Sequence, residues 1–188
     1  MIRRLCLAAA ALLAAAPLYA VTYTFEPEHT QGVVRWNHLG FANPTAQFNN
    51  VQGTLEFDQA DPARSSVRVT IPLTSMSTGV AGLNEDFQSS DFFDYAKFPA
   101  ATFKSSQVQK GATPGTLKVV GELSLHGITK PVALDVTINK ISSSTDNRVT
   151  SGFDADATLS RSDFGVGRYV PMTGDELTVH ITLEAGQD

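Results

Sequence analysis

The chain has 188 residues, 14 Lys and Arg against 19 Asp and Glu, a net charge of −5, and 42% hydrophobic but only 18% charged residues. An acidic balance argues against nucleic acid and anionic membrane surfaces as partners, and so much Val, Thr, Phe and Ile among so few charges excludes a disordered chain. The single cysteine, Cys6, rules out a disulfide framework, so the fold must rest on a hydrophobic core.

Arg3 and Arg4 precede an unbroken Leu/Ala run that ends at Ala20, which reads as a secretory signal peptide over residues 1–20. The run is too short and alanine-rich for a membrane span, which needs ~20 strongly apolar residues, so no stable membrane insertion is expected. Cys6 stands too early to be a lipoprotein attachment site. Removal of the segment leaves 12 basic and 19 acidic residues, a net of −7, and no thiol. The expectation is an exported, periplasmic protein with one domain over residues 21–188.

Alternation of apolar and polar residues then recurs, the signature of strands with one buried face. Val21, Tyr23 and Phe25 open a short strand; Val34, Trp36 and His38 share a face of the next; Val51, Gly53, Leu55 and Phe57 mark a third, closed by the turn-former DQADPAR. Val67, Val69, Ile71 and Leu73 make a fourth, and Ala101, Phe103 and Ser105 a fifth. The clearest signal is LKVVGELSLHGITKPVALDVTI, Leu117 to Ile138. In it Leu117, Val119, Gly121, Leu123 and Leu125 face one way and so do Val132, Leu134, Val136 and Ile138, across the polar turn HGITKP. Phe153, Ala155, Ala157 and Leu159, then Leu177, Val179, Ile181 and Leu183, complete the set. Only Val80 to Lys97 breaks the rhythm: Leu83 and Phe87 are at helical spacing, with Asn84 or Ser90 as candidate caps. The loops Leu39 to Thr45 and Gly165 to Asp175 are the other long connections. An all-β fold follows, an antiparallel eight-stranded barrel with one short helical segment near residues 80–97, because closure hides both sheet edges without disulfides. Alternation alone leaves two interiors open. Bulky residues (Trp36, Phe57, Phe103, Phe153) interlock with small ones (Gly53, Gly121, Ala155, Ala157) in a full core, or the small ones leave room for a ligand.

Six stretches in order, EPEHTQGVVRWNHLGF, FNNVQGTLEFD, SSDFFDYAKFPAATFKSS, VVGELSLHGITKPVALDV, ATLSRSDFGVG and GDELTVHITLEA, resemble the YceI-like family over essentially the whole chain after residue 20. The resemblance implies a lipocalin-like barrel that encloses a long apolar chain of isoprenoid quinone, polyprenyl or fatty amide type. The resemblance admits a homodimer, and the residues themselves give no expectation of a catalytic site, a metal or a required cofactor beyond that lipid. On this reading Val34, Trp36, Leu55, Phe57, Val69, Ile71, Phe92, Phe93, Phe103, Leu123, Leu125, Leu134, Val136, Phe153 and Val179 face the tail. His38, Arg161, Asp163 and Tyr169 are the candidates for the head group.

The chain departs from the resemblance where such proteins carry an RDxHL-like stretch: here stand Leu83, Asn84, Glu85, Asp86 and Phe87. A diphosphate needs several cations or donors to replace its hydration, whereas Glu85 and Asp86 repel it, so a neutral head is expected. Arg161 and Asp163, two apart at a strand end, are expected on one face as an ion pair or a head-group contact. The four histidines show no metal-ligand spacing. His126 reads as a turn-capping residue, His29 in its early turn likewise, and His180 as a solvated outward side chain. There is no GxSxG elbow and no phosphate-cradling loop. A filled barrel acting as an interaction or stress protein, and an enzyme acting on a bound lipid, are the rival readings.

Overall fold

The computed structural model describes residues 20–144 and 148–187. The expected signal peptide lies outside them except for Ala20. Eleven strand segments form one antiparallel sheet: β1 (Val21–Phe25), β2 (Gln31–His38), β3 (Thr45–Phe48), β4 (Gln52–Phe57), β5 (Ser66–Pro72), β6 (Met76–Ser77), β7 (Ala100–Lys110), β8 (Thr116–Leu125), β9 (Ile128–Ser143), β10 (Val149–Ser160) and β11 (Thr173–Gln187). One α-helix, α1 (Ala81–Gln88), stands between β6 and β7. No helix among the described residues is long and apolar enough to cross a membrane.

The eleven segments make eight barrel strands because the first three are each broken once. β1 and β2 lie end to end along β11, with Phe25 opposite Ala185 and Gln31 opposite Thr182. The break is a 3-10 turn over Pro27–His29, where proline removes a ladder donor. β4 and β3 pair with β1 and β2 in the same way, and β5 and β6 pair with β4 and β3. From β5 the order runs β7-β8-β9-β10-β11, and β11 meets β1 to close the ring. β6 pairs only with β3, so the sheet is unpaired between β6 and β7, the two strands that α1 links in sequence. The segments sequence reading missed, β3 and β6, are the short outer halves of broken strands. Asn49 and Asn50, the latter at φ 54°, separate Ala46 and Phe48 from the Val51 alternation.

Strand directions sort the connections into two ends. Loops 39–44, 78–99, 126–127 and 161–172 gather at one, hereafter the loop end; the connections 58–65 and 111–115 lie at the other. The β8–β9 connection is tighter than the six-residue HGITKP turn read from sequence. It is His126–Gly127 alone, with φ 52° and 76°, a two-residue turn of the kind whose twist matches a hairpin, and Ile128 to Pro131 already belong to β9. His126 meets the Phe98 ring edge-on at 4.7 Å, and its Nδ1 lies 3.2 Å from the Phe164 carbonyl, so it fastens the turn to the neighbouring loop.

Neither candidate cap of α1 serves as one. Val80 occupies the N-cap position without a side-chain bond, and Asn84, inside the helix, accepts the Thr78 amide at 2.8 Å and hydroxyl at 2.7 Å. An amide side chain in the first turn can bind the preceding loop as well as a cap can bind the helix. Ser90 lies beyond the helix.

Gly53 and Gly121, inner-face glycines that read as room, do not make space. A Cβ on Gly121 would stand 2.5 Å from the Phe103 ring, and one on Gly53 would stand 2.7 Å from the Phe25 ring. Both are seats for aromatic rings, so the interlocked reading holds there. The Phe25 ring, the edge-on Phe57–Phe153 pair at 5.5 Å and Tyr23 beside Phe57 at 6.4 Å pack the part of the barrel away from the loop end.

Candidate functional site

The barrel keeps a cavity of about 430 Å³. Period-two alternation aims one row of each strand inward, and every residue nominated for the tail lines this space: Val34, Trp36, Leu55, Phe57, Val69, Ile71, Phe92, Phe93, Phe103, Leu123, Leu125, Leu134, Val136, Phe153 and Val179. Leu83, Phe87, Ala46, Phe48, Met76, Leu159 and Leu177 line it too. Sequence reading saw Leu83 and Phe87 as helix residues without placing them inside, and it assigned Ala46 and Phe48 to no element. Half-buried inward side chains occur at both levels, Leu123, Leu125, Leu159 and Leu177 near the loop end and Leu55, Val67 and Leu183 toward the other. The exposed residues His38, Asp86 and Tyr169 line the cavity at the loop end, so solvent reaches the lumen there.

An aromatic series partly covers that opening. Trp36 on β2 meets Phe87 of α1 at 5.6 Å, Phe87 meets Phe92 at 5.2 Å and Phe93 at 6.0 Å, and Phe92 meets Tyr169 at 6.1 Å. These ring contacts hold α1 against β2 and against the connection that follows it. Tyr95, beside Phe93 at 6.3 Å, keeps its hydroxyl buried with no partner among the described residues, and burial pushes its pKa up to about 12.

Polar groups are few. His38, Asp86, Tyr169, Thr173 and Arg161 meet the cavity near the loop end, and Ser65 and Ser66 touch the opposite end. Asp163 does not line it. The chain leaves β10 at Ser160 and enters a 3-10 turn, Arg161–Phe164, so residues two apart no longer share a face. Arg161 turns inward and is buried, while Asp163 is exposed and faces Lys130 of β9 at 3.8 Å.

Arg161 has no hydrogen-bonding capacity left. Its Nε donates to the Gly174 carbonyl at 2.9 Å, Nη1 to the carbonyls of Val166 at 2.7 Å and Arg168 at 2.9 Å, and Nη2 to the Thr173 carbonyl at 3.2 Å and hydroxyl at 2.6 Å. These contacts match the five N–H donors of a guanidinium. Burial lowers its pKa from the usual value and Asp175 opposes the shift; the group stays charged. It ties loop 161–172 to the start of β11. The rim cations are engaged as well: Arg168 pairs with Asp91 and lies 5.0 Å from the Tyr169 ring. Asp86, meanwhile, adds negative charge to the wall. On the outer surface His180 is exposed and outward, as read from the sequence, and its Nδ1 lies 2.8 Å from Asp156 Oδ1. Among the described residues no cluster of three or more His, Cys, Asp or Glu side chains could hold a metal.

Comparison with known proteins places this architecture. A UPF0312 protein of Pseudomonas syringae pv. tomato is 34% identical over 179 residues, 94% of this chain and 92% of the relative. The crystal structure of Burkholderia cenocepacia BcnA superposes with a TM-score of 0.77 at 24% identity, over 85% of this chain and 98% of that one. A polyisoprenoid binding domain from Saccharophagus degradans, implicated in plant cell wall breakdown, has the same fold, with a TM-score of 0.69 at 15% identity over 89% of this chain and 99% of that one. The family model for the YceI-like domain matches residues 23–185, and the chain belongs to the YceI-like domain family.

Proposed function

We propose that this barrel, exported to the periplasm after loss of residues 1–20, sequesters and ferries a long apolar molecule with an uncharged head, such as an isoprenoid quinone, a prenol or a fatty amide. The observation that carries the reading is an apolar cavity of about 430 Å³ whose buried arginine has every donor engaged by the protein itself. An apolar cavity of ~150 Å³ accepts benzene, so on that scale about 430 Å³ takes on the order of 15–20 carbons. A longer prenyl chain protrudes from the loop end. At roughly 0.8 kcal/mol per buried CH₂, 15 carbons contribute about 12 kcal/mol, within the ~4–15 kcal/mol range for the cost of association. Affinity therefore depends on how fully the tail fills the wall, with the head group tuning it. The likeness in fold to the polyisoprenoid binding domain from Saccharophagus degradans supports the chemical class. The separation of Ser65 and Ser66 from His38 at opposite ends of the cavity favours carriage over an acyl-transfer site.

The test is competition for a bound fluorescent apolar probe between a prenyl diphosphate, the matching prenol and the matching quinone. The prenol and quinone are expected to displace the probe at least roughly tenfold more effectively, since Asp86 opposes and Arg161 cannot serve a diphosphate. A diphosphate that outcompetes both would overturn the neutral-head assignment.

A further inference from the structure

The exposed large apolar side chains of the described residues are Leu39, Phe41, Val80, Ile128, Tyr169 and Met172, and all six belong to the connections, or the first strand residue after one, at the loop end. Phe41 is 91% exposed and Met172 62%. Scattered singly, such residues are ordinary; gathered around the opening of an apolar cavity they mark an interaction surface. We infer that the loop end docks on an electrically neutral lipid surface, with Phe41 and Met172 inserted among the lipids, so that cargo passes between membrane and barrel without crossing water. The inference rests on the reading of the barrel as a lipid carrier and names the partner from which that carrier loads.

Three observations select a lipid surface over a protein. The segments Leu39–Thr45, Thr78–Asn84 and Tyr169–Gly174, which carry five of the six side chains, contain no charged residue, as penetration of an apolar layer requires. The apolar surface is continuous with the cavity through Tyr169, Phe92, Phe87 and Trp36, in ring contact at 6.1, 5.2 and 5.6 Å. The centre of the patch is an opening bordered by separate loops. A protein partner must pack ~800 Å² of matched surface, whereas a fluid bilayer conforms to such a rim. Charge decides the lipid: in the same connection Glu85, Asp86 and Asp94 outnumber the one cation, Lys97, Asp91 is balanced by Arg168, and the chain is acidic overall, so anionic lipid repels it.

Sedimentation of the mature protein with sucrose-loaded phosphatidylcholine vesicles tests this, with extractable lipid per chain measured in the same samples. The wild type is expected to sediment with them. The double variant F41S/M172S, altered at two residues outside the cavity wall, is expected to lose binding by roughly tenfold or more, the scale of one large apolar side chain, while its lipid content is unchanged. Replacing one-third of the phosphatidylcholine by phosphatidylglycerol is expected to weaken binding at low salt. A wild type that retains lipid but ignores the vesicles, or a variant that binds them equally well, overturns the inference and leaves the carrier reading intact. Dimerisation that depends on Phe41 without vesicle binding also overturns it, in favour of a second copy of the chain. A wild type that binds vesicles yet never holds lipid contradicts the carrier reading instead.

Discussion

Arg161 and Asp163 were legible as chemistry-bearing residues, and their positions were not. Period-two reasoning put them on one face; the 3-10 turn that begins at Arg161 sends the guanidinium inward and Asp163 to Lys130. Nothing in RSDFGVG tells where strand geometry stops, because Ser, Asp and Gly serve a strand end and a turn alike. The same turn gives Ser162 to Asp175: the Ser162 hydroxyl donates to Asp175 at 2.7 Å and its amide at 2.9 Å, and these bonds hold the Asp175 carboxyl below its ordinary pKa. A carboxylate lowered in the folded state stabilises above its unfolded pKa of ~3.9, and that contribution is lost as pH falls through the lower folded value. Thermal unfolding between pH 5 and pH 2.5 should therefore show a shallower acid limb for Asp175→Asn than for the wild type. Parallel limbs for the two proteins would mean the pair contributes nothing to folding.

Elements were legible wherever alternation ran unbroken, as in β8, β10 and the inner row of β11. They were lost where a bulge or break shifts the phase. In β7 the register slips between Ser105 and Gln107, so that Phe103 and Val108, five apart, are both buried. In β9 Ile138 and Ile141 straddle the irregularity opposite Gly152 and Phe153. β3 and β6, with four and two residues, are too short for any periodic signal. The glycines show why composition misleads about volume: a small residue reads as room, yet its space belongs to whichever ring leans over it. Gly121→Ala is expected to destabilise the barrel by roughly 1–3 kcal/mol in urea unfolding, because the new Cβ meets both the Phe103 ring and the Lys104 carbonyl at 2.5 Å. Gly82→Ala, with no atom within 4 Å, is the control and should be neutral or slightly stabilising. Equal stability of the Gly121 variant and wild type would contradict the seating of Phe103.

At the scale of the whole molecule, eight strands closing on themselves follow from alternation, the absence of disulfides and the resemblance together. The cavity does not follow from alternation, since an identical inner row can be filled or hollow. What decides is the distribution of the rings. Phe25, Phe57 and Phe153 pack toward one end, while Trp36, Phe87, Phe92 and Phe93 stand at the other as a partial cover, and the space between them is left to Phe103 and to Leu, Val and Ala. That division depends on where α1 lies, which no single strand encodes. The central claim is that this space holds an apolar chain. The most direct measurement is lipid mass spectrometry on protein purified without detergent, wild type beside Ala157→Trp, whose indole would fill the lumen from the wall position of Ala157. About one apolar lipid per wild-type chain is expected, with loss of it in a variant that circular dichroism shows to be folded. No lipid in the wild type, or the same lipid in both proteins, would contradict it.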